Sequence, residues 1–207
     1  VDKLSPNEYT LLFTGQHKEL MNDIRYDIRI EMFDDGKNRL DSIVSQVLQR
    51  FPNGYTSVLV QGDTASAFAC ALAGFHRKMN VIHLEAGLRT HDLNNPYPEE
   101  GYRQMISRIA THHLCPTKQS KLNLINDDIT SENIYVVGNT SLDNIVDYKD
   151  KVFDGKKVLV TLHRRENHDI IEDWFTEINN LADRYTNLEF ILPIHPNPNV
   201  TKWKHLL

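Results

Sequence analysis

The sequence predicts an α/β protein in which two domains are each built around a parallel sheet. One indication is residues 57–84, where a short apolar strand, an Ala-rich helix and a second apolar strand follow one another as a βαβ unit. Another is a second strand, helix and strand after residue 157. Polar residues also follow the strand ends, the edge at which open α/β sheets bind ligands. We therefore expect two Rossmann-like domains that face each other across a cleft, the second of them incomplete.

The composition is that of an ordinary soluble globular protein. The chain has 207 residues, of which 40% are hydrophobic and 25% charged. A formal net charge of -5 gives no basic footprint for nucleic acid, and no apolar run approaches the ~20 residues of a transmembrane helix. We therefore expect neither nucleic acid nor a membrane as a partner. Cys70 and Cys115 have apolar neighbours and no zinc or redox spacing, which predicts buried free thiols in a cytoplasmic protein.

The segment before the βαβ unit predicts two strands and then a helix. Residues 9–14 form a short strand, and residues 26–33 alternate weakly between polar and apolar, which indicates an exposed or edge strand. Residues 38–51 predict an amphipathic helix because their apolar side chains recur at helical spacing. Those side chains are Leu40, Ile43, Val44, Val47 and Leu48.

The βαβ unit and the elements after it complete the first domain. Residues 57–60 and 81–84 predict buried parallel strands because they are short, apolar runs. Residues 65–78 predict the helix between them, and Asp63 and Thr64 are both suitable N-caps for it. The remaining expected elements are helices at 99–111 and 117–126, strands at 114–115 and 134–137, and a short helix that opens at Gly138.

The charged stretch at residues 146–156 shows no clear periodicity and predicts a linker between domains. The first domain then spans residues 1–145 and the second begins at residue 157 and runs to 207. We expect strands at 158–161 and 188–194 in the second domain. The helix between them has an apolar face formed by Trp174, Phe175, Ile178 and Leu181.

Six motifs, in order and in register, resemble the non-hydrolysing UDP-N-acetylglucosamine 2-epimerase family. They are QGDT (61–64), HLEAGLRT (83–90), PYPEEGYR (96–103), VVGNTSLD (136–143), LVTLHRREN (159–167) and LPIHPNPNV (192–200). The resemblance implies the two-domain architecture of GT-B glycosyltransferases and a homodimer when full length. Set against that architecture, the chain looks like a fragment without the first strand and most of the second domain. We therefore expect that the 207 residues alone are not a working epimerase.

The reaction that the resemblance implies inverts C2 of the sugar in UDP-N-acetylglucosamine and gives UDP-N-acetylmannosamine, a precursor for bacterial surface polysaccharide. UDP leaves C1, a base removes the C2 proton, and the resulting glycal is protonated on its opposite face before UDP returns. This chemistry needs acid/base groups on both faces of the ring and cationic groups for the diphosphate. It needs no redox cofactor, and the sequence contains no standard metal-binding spacing.

By the resemblance, Asp63, Glu85, Glu99 and His163 are the catalytic residues. Asp63 has a structural alternative as a helix N-cap, and Glu99, like its neighbour Glu100, has one as an acid in the first turn of a helix. The structural alternative for His163 is that it belongs to a charged surface cluster. Glu85 has the least structural reason to end a buried strand, so it is the strongest candidate.

Further residues are expected to bind nucleotide sugars. Arg164, beside a second arginine, suits a diphosphate. Arg89 and Arg103 either bind substrate or only pair with nearby acids, and His195 resembles a residue of the nucleotide-side loop. Gln16 and His17 resemble residues through which bacterial members bind a second, regulatory UDP-N-acetylglucosamine.

Three other functions stay open or are disfavoured. A hydrolysing epimerase is disfavoured because its members lack the PxPEE motif that residues 96–100 form. A 2-epimerase of a diacetamido-uronic acid nucleotide shares the motifs and stays open. A nucleotide-sugar-binding or glycosyltransferase-like module also stays open, because fold alone does not settle function.

Overall fold

A computed structural model describes residues 8–16, 26–30, 39–143, 155–162, 169–194 and 198–207. The chain divides into two compact units, Val1–Asn144 and Ile145–Leu207. Each unit contains parallel strands together with helices, which confirms the predicted α/β class. Most of the predicted linker lies outside the described residues, so the proposed domain bounds stay a prediction.

The first unit has a four-stranded parallel sheet with a separate pair of short strands. Its strands are β1 (Leu12–Phe13), β2 (Ile28–Arg29), β3 (Ser57–Gln61), β4 (Asn80–Leu84), β5 (His112–Cys115) and β6 (Ile134–Val136). Its helices are α1 (Arg39–Arg50), α2 (Ala65–His76), α3 (Glu99–Ile109) and α4 (Lys118–Asn126). The larger sheet has the order β3-β4-β5-β6, and β1 pairs with β2. Residues 31–33 of the expected edge strand lie outside the described residues.

Helix α2 packs closely on the sheet because it is built from small residues. All five alanines of α2, which occupy alternate positions, are buried and pack with Val60 and Val81 of the two strands that flank the helix in sequence. At Gly74, a Cβ would lie 2.5 Å from Val58 Cγ1, so only glycine fits there without a shift. Leu59 points to the opposite face of the sheet and is 59% exposed.

The other face of α2 is covered by helix α1. Ile43 and Val47 of α1 are fully buried in the same core as the alanines of α2, as the amphipathic pattern of residues 38–51 predicts. Cys70 in α2 and Cys115 in β5 are buried free thiols, which confirms that expectation. Burial raises the pKa of Cys70 to about 12 and that of Cys115 to about 11.

The second unit contains β7 (Lys157–Leu159), α5 (Ile171–Arg184), β8 (Glu189–Ile191) and α6 (Pro198–Thr201). Strands β7 and β8 are parallel. Ile171, Phe175 and Ile178 form the buried face of α5. The prediction that Trp174 belongs to this face is wrong, because its side chain is 46% exposed. Trp174 lies about 100° around the helix axis from Phe175. The buried face of α5 instead begins at Ile171, one turn before Phe175.

Among the described residues, no helix is both long and apolar enough to cross a membrane.

Candidate active site

The carboxyl ends of β3 and β4 bring Asp63 and Glu85 to one edge of the sheet. The last residues of the two strands, Gln61 and Leu84, are partners in the parallel register. The Gly62 N–H then donates to the Leu84 carbonyl at 3.0 Å. A Cβ at Gly62 would lie 3.4 Å from Glu85 Oε2, so the Glu85 carboxylate lies directly beside the residue that precedes Asp63.

Glu85 adopts a backbone conformation that is unusual for its residue type. Its φ is 68°, in the left-handed region that non-glycine residues rarely occupy and that costs roughly 1–3 kcal/mol. Within the described part of the chain, its half-buried carboxylate makes no hydrogen bond and no ion pair. Such strain persists only where the surroundings impose it, and it is concentrated at functional sites.

Asp63 does not cap helix α2, and that structural alternative is wrong. The N-cap is Thr64, whose hydroxyl accepts from the Ala67 N–H at 3.2 Å. Asp63 Oδ2 instead accepts a hydrogen bond from Arg103 Nε at 2.7 Å, and Nη2 of the same guanidinium lies 2.7 Å away in an ion pair. Freed from capping, Asp63 is held in one orientation by helix α3.

Glu100 is a buried carboxylate whose role the sequence did not reveal. It is 0% exposed and accepts from the N–H groups of Thr90 at 3.1 Å and His91 at 3.3 Å. It also accepts from Gln104 at 3.0 Å and from Arg103 Nη1 at 3.1 Å. It therefore joins the loop after β4 to the start of α3.

The hydrogen bonds of Glu100 decide its ionisation. Burial alone would raise its pKa, but the donors of Gln104, Thr90, Arg103 and His91 together outweigh burial and lower the pKa below the ordinary value of 4.5. The spacing of Glu100 from Arg103 and Gln104, at i+3 and i+4, is the sequence signal that could have indicated this cluster.

Glu99 lies in the first turn of α3, as its structural alternative requires. It is half-buried and, among the described residues, makes no side-chain hydrogen bond or ion pair. It precedes Arg103 by four residues, so the two share a face of α3, and Arg103 bonds Asp63. The convergence of Glu99 with Asp63 and Glu85 stays a prediction.

Arg89 pairs with an acid, which was one of its two expected roles. Its side chain is 1% exposed, and Nε donates to Asp127 Oδ2 at 2.8 Å. Nη2 donates to Ser107 Oγ at 2.9 Å and Nη1 to the Leu88 carbonyl at 2.8 Å. These bonds tie the loop after β4 to α3 and α4, and they are all interior. Substrate binding by Arg89 and by Arg103 stays a prediction.

Two buried histidines, His83 and His113, lie beneath this edge on adjacent strands. They are register partners, with 1% and 2% of their surface exposed. His83 Nε2 lies 2.8 Å from the Gly62 carbonyl oxygen. The sequence motifs indicate no role for either histidine; the available signal is a histidine at an inward position of an apolar strand.

Gln16 bonds to the first turn of α2. Its side-chain oxygen accepts from the Ser66 N–H at 3.0 Å and from the Ser66 hydroxyl at 2.6 Å. Thr14 contacts the same hydroxyl at 2.5 Å. The regulatory role of Gln16 stays a prediction. The expected site residues His17, His163, Arg164 and His195 lie outside the described residues.

The exposed side of the edge is a small open depression. It is lined by Leu84, Glu85, Pro116, Gly138, Asn139 and Thr140. Gln61 reaches across it, with Nε2 3.5 Å from Thr140 Oγ1. Within the described ranges, no three or more His, Cys, Asp or Glu residues form a group that could hold a metal ion.

Comparison with known proteins identifies relatives over nearly the whole chain. The family model described as UDP-N-acetylglucosamine 2-epimerase matches residues 2–205. The UDP-N-acetylglucosamine 2-epimerase of Salmonella borreze is 35% identical over an alignment of 222 positions, which covers 93% of this chain and 59% of that protein.

Solved structures agree with this relationship. The UDP-GlcNAc 2-epimerase of Neisseria meningitidis, bound to UDP-GlcNAc, is 33% identical with a TM-score of 0.79, over 93% of this chain and 60% of that one. The S. aureus MnaA co-structure with UDP is also 33% identical, with a TM-score of 0.77, over 93% of this chain and 56% of that one. The chain thus spans less than two thirds of the length of these relatives.

Proposed function

The chain belongs to the UDP-N-acetylglucosamine 2-epimerase family, and we propose that the protein containing it interconverts UDP-N-acetylglucosamine and UDP-N-acetylmannosamine. The observation that carries the proposal is the position of Asp63 and Glu85 at adjoining strand ends, with Glu85 Oε2 within 3.4 Å of a Cβ position at Gly62. Epimerisation at an unactivated carbon requires two acid/base groups close to one ring, and this edge supplies two carboxylates.

The proposed reaction proceeds by elimination and re-addition of UDP. The C1–O bond to the diphosphate breaks, and the electron-poor C1 acidifies the C2 proton. One carboxylate takes that proton, which leaves a C1–C2 double bond in the sugar. A second acid then protonates C2 on the opposite face, and UDP returns to C1. The overall oxidation state is unchanged, so the reaction needs no redox cofactor.

The residues of this edge suit different steps of that reaction. Glu85, with no partner among the described residues, is free to accept or donate a proton. Asp63 is held by a hydrogen bond and an ion pair with Arg103 and is therefore oriented before substrate arrives. Glu99 is proposed as the third acid/base group, one helical turn from Arg103.

Basic residues outside the described ranges are proposed to hold the leaving diphosphate. His163 and Arg164 follow strand β7 in the sequence. A guanidinium group can donate two parallel hydrogen bonds to phosphate oxygens. His195 is proposed for the nucleotide side, and Gln16 with His17 for a regulatory nucleotide sugar. The full-length protein is further proposed to be a cytoplasmic homodimer that supplies surface-polysaccharide precursors.

The decisive experiment is incubation of the full-length protein with UDP-N-acetylglucosamine in deuterated water. Deuterium at C2 of recovered substrate and product, followed by NMR and mass spectrometry, is the expected result. Bound but undeuterated substrate would favour a nucleotide-sugar-binding module instead. Release of free N-acetylmannosamine and UDP would indicate the hydrolysing reaction. A parallel assay with a diacetamido-uronic acid nucleotide tests the alternative that this compound is the substrate.

A further inference from the structure

We propose that His83 is a positioning residue of this site, which fixes the Gly62–Asp63 peptide and, through it, the two carboxylates Asp63 and Glu85. Its importance for catalysis rests on the proposed function, whereas its effect on geometry does not. His83 lies on β4, two residues before Glu85, and its imidazole is almost completely buried. Its Nε2 lies 2.8 Å from the carbonyl oxygen of Gly62, across the strand pair.

The hydrogen bond to Gly62 defines which nitrogen of the His83 ring carries the proton. A carbonyl oxygen can only accept, so Nε2 carries a proton and donates it. Burial lowers the pKa of His83 to about 4. The Gly62 carbonyl and Asp63 oppose that shift, and Arg89 adds to it. The ring is therefore neutral at neutral pH, with its only proton on Nε2, and Nδ1 is a buried acceptor without a partner among the described residues.

Gly62 is the residue through which His83 affects the positions of both carboxylates. Its N–H donates to the Leu84 carbonyl and its carbonyl accepts from His83, so the residue is held on both sides by β4. It adopts a φ of 70° and is the single residue between strand β3 and Asp63. Without the His83 donor, the peptide that joins Gly62 to Asp63 loses the hydrogen bond to its carbonyl and can rotate, because the bond from the Gly62 N–H holds only the preceding peptide.

Rotation of that peptide would affect both acids in different ways. Asp63 would move relative to Arg103, whose fork holds it at 2.7 Å. Glu85 Oε2 lies 3.4 Å from the position that a Cβ would take at Gly62, so a turn of the backbone there would change the surroundings of its carboxylate. Misplacement of a catalytic group by about 1 Å costs on the order of 100-fold in rate, so a small rotation is enough to matter.

His113 provides a matched control within the same sheet. It is the register partner of His83 and is equally buried, and burial is the main reason that its pKa is lowered to about 4. Its Nδ1 also lacks a partner among the described residues, but it makes no bond to Gly62. If buried histidines serve only to fill the core, the two residues should respond alike to substitution.

The test compares His83→Leu, His83→Gln and His113→Leu in the full-length protein. We expect kcat to fall ~10- to 100-fold in His83→Leu, with a much smaller change in KM. The Gln variant should recover most of kcat, because its amide nitrogen can reach the position of Nε2. His113→Leu should lose comparable thermal stability but keep kcat. Equal loss of kcat in the two Leu variants, or no loss in His83→Leu, would overturn the proposal.

Crystal structures of the same three variants test the geometry without reference to activity. The Gly62–Asp63 peptide should turn, and the Asp63–Arg103 bond should lengthen, in His83→Leu only. An unchanged peptide in that variant would refute positioning even if the enzyme were inactive. If the unsubstituted protein introduces no deuterium at C2 but the peptide turns as expected, the proposed function fails and the positioning role stands.

Discussion

The helix-covered face of the main sheet and its carboxyl edge are stabilised in different ways. On the covered face, Ala, Val and Ile side chains of α1, α2 and the strands pack by shape, and no single contact dominates. At the edge, Glu100 accepts four hydrogen bonds, Arg89 donates three, and Arg103 donates two and makes one further ion-pair contact. Size therefore governs the effect of a substitution on the face, whereas the loss of particular partners governs it at the edge.

The largest loss of stability is expected from Arg89→Leu. The change leaves Asp127, Ser107 and the Leu88 carbonyl without their donor, so we expect about 3 kcal/mol lower free energy of unfolding, measured by urea denaturation. A rise in KM for the nucleotide sugar with stability unchanged would instead support substrate binding by Arg89. Arg89→Lys, which keeps the charge but not the three bonds, is the matched variant.

Glu85→Gln should leave stability nearly unchanged and lower turnover by ~100-fold or more in the full-length protein. The physical reason is that the carboxylate has no partner among the described residues to lose, while the amide can neither accept nor donate the C2 proton. UDP affinity, measured by calorimetry, should be retained. An equal loss of UDP affinity would move Glu85 from catalysis to binding.

On the covered face, Gly74→Ala tests whether size alone matters. The new Cβ would meet Val58 Cγ1 at 2.5 Å, so we expect a loss of about 1–3 kcal/mol in unfolding free energy with unchanged kcat. Gly101→Ala in α3 is the control, because nothing lies within 4 Å of its Cβ position. It should stabilise the protein by about 0.5–1 kcal/mol. Similar effects at both glycines would contradict the packing account.

The last expected effect is on the pH dependence of the free energy of unfolding. The pKa of Glu100 is lower in the folded protein than its ordinary value of 4.5, so it contributes stability above that pH. This contribution is lost as the pH falls through the folded pKa. Glu100→Gln should therefore flatten the acid limb of a plot of unfolding free energy against pH. An unchanged acid limb would show that Glu100 is not the group responsible.

The covered face could be predicted from the sequence far better than the edge. Apolar spacing located α1, and an Ala-rich run after two candidate N-caps located α2, each within two residues at either end. In α5, apolar spacing wrongly assigned Trp174 to the buried face. An apolar residue beside the buried stripe cannot be told from one within it by spacing alone. The resemblance placed Asp63 and Glu85 at one edge, which their strand register supports.

What the sequence could not supply is the choice among equivalent partners. Asp63 and Thr64 are both good N-caps, and Thr64 takes that role while Arg103 holds Asp63. Glu99 and Glu100 are adjacent acids, and only the second turns inward to meet backbone N–H groups. These outcomes depend on bonds between residues distant in sequence, which no local pattern encodes.

The contact between Gly62 and Glu85 also bears on protein engineering. Any side chain at position 62 would meet both an unfavourable φ of 70° and the Glu85 carboxylate, so this position should be kept fixed in a combinatorial library. Its neighbour Gln61 is exposed and bonds Thr140 at a long 3.5 Å. Under the proposed function, diversity intended to alter the choice of nucleotide sugar is better introduced at Gln61 and Thr140, whose side chains are exposed.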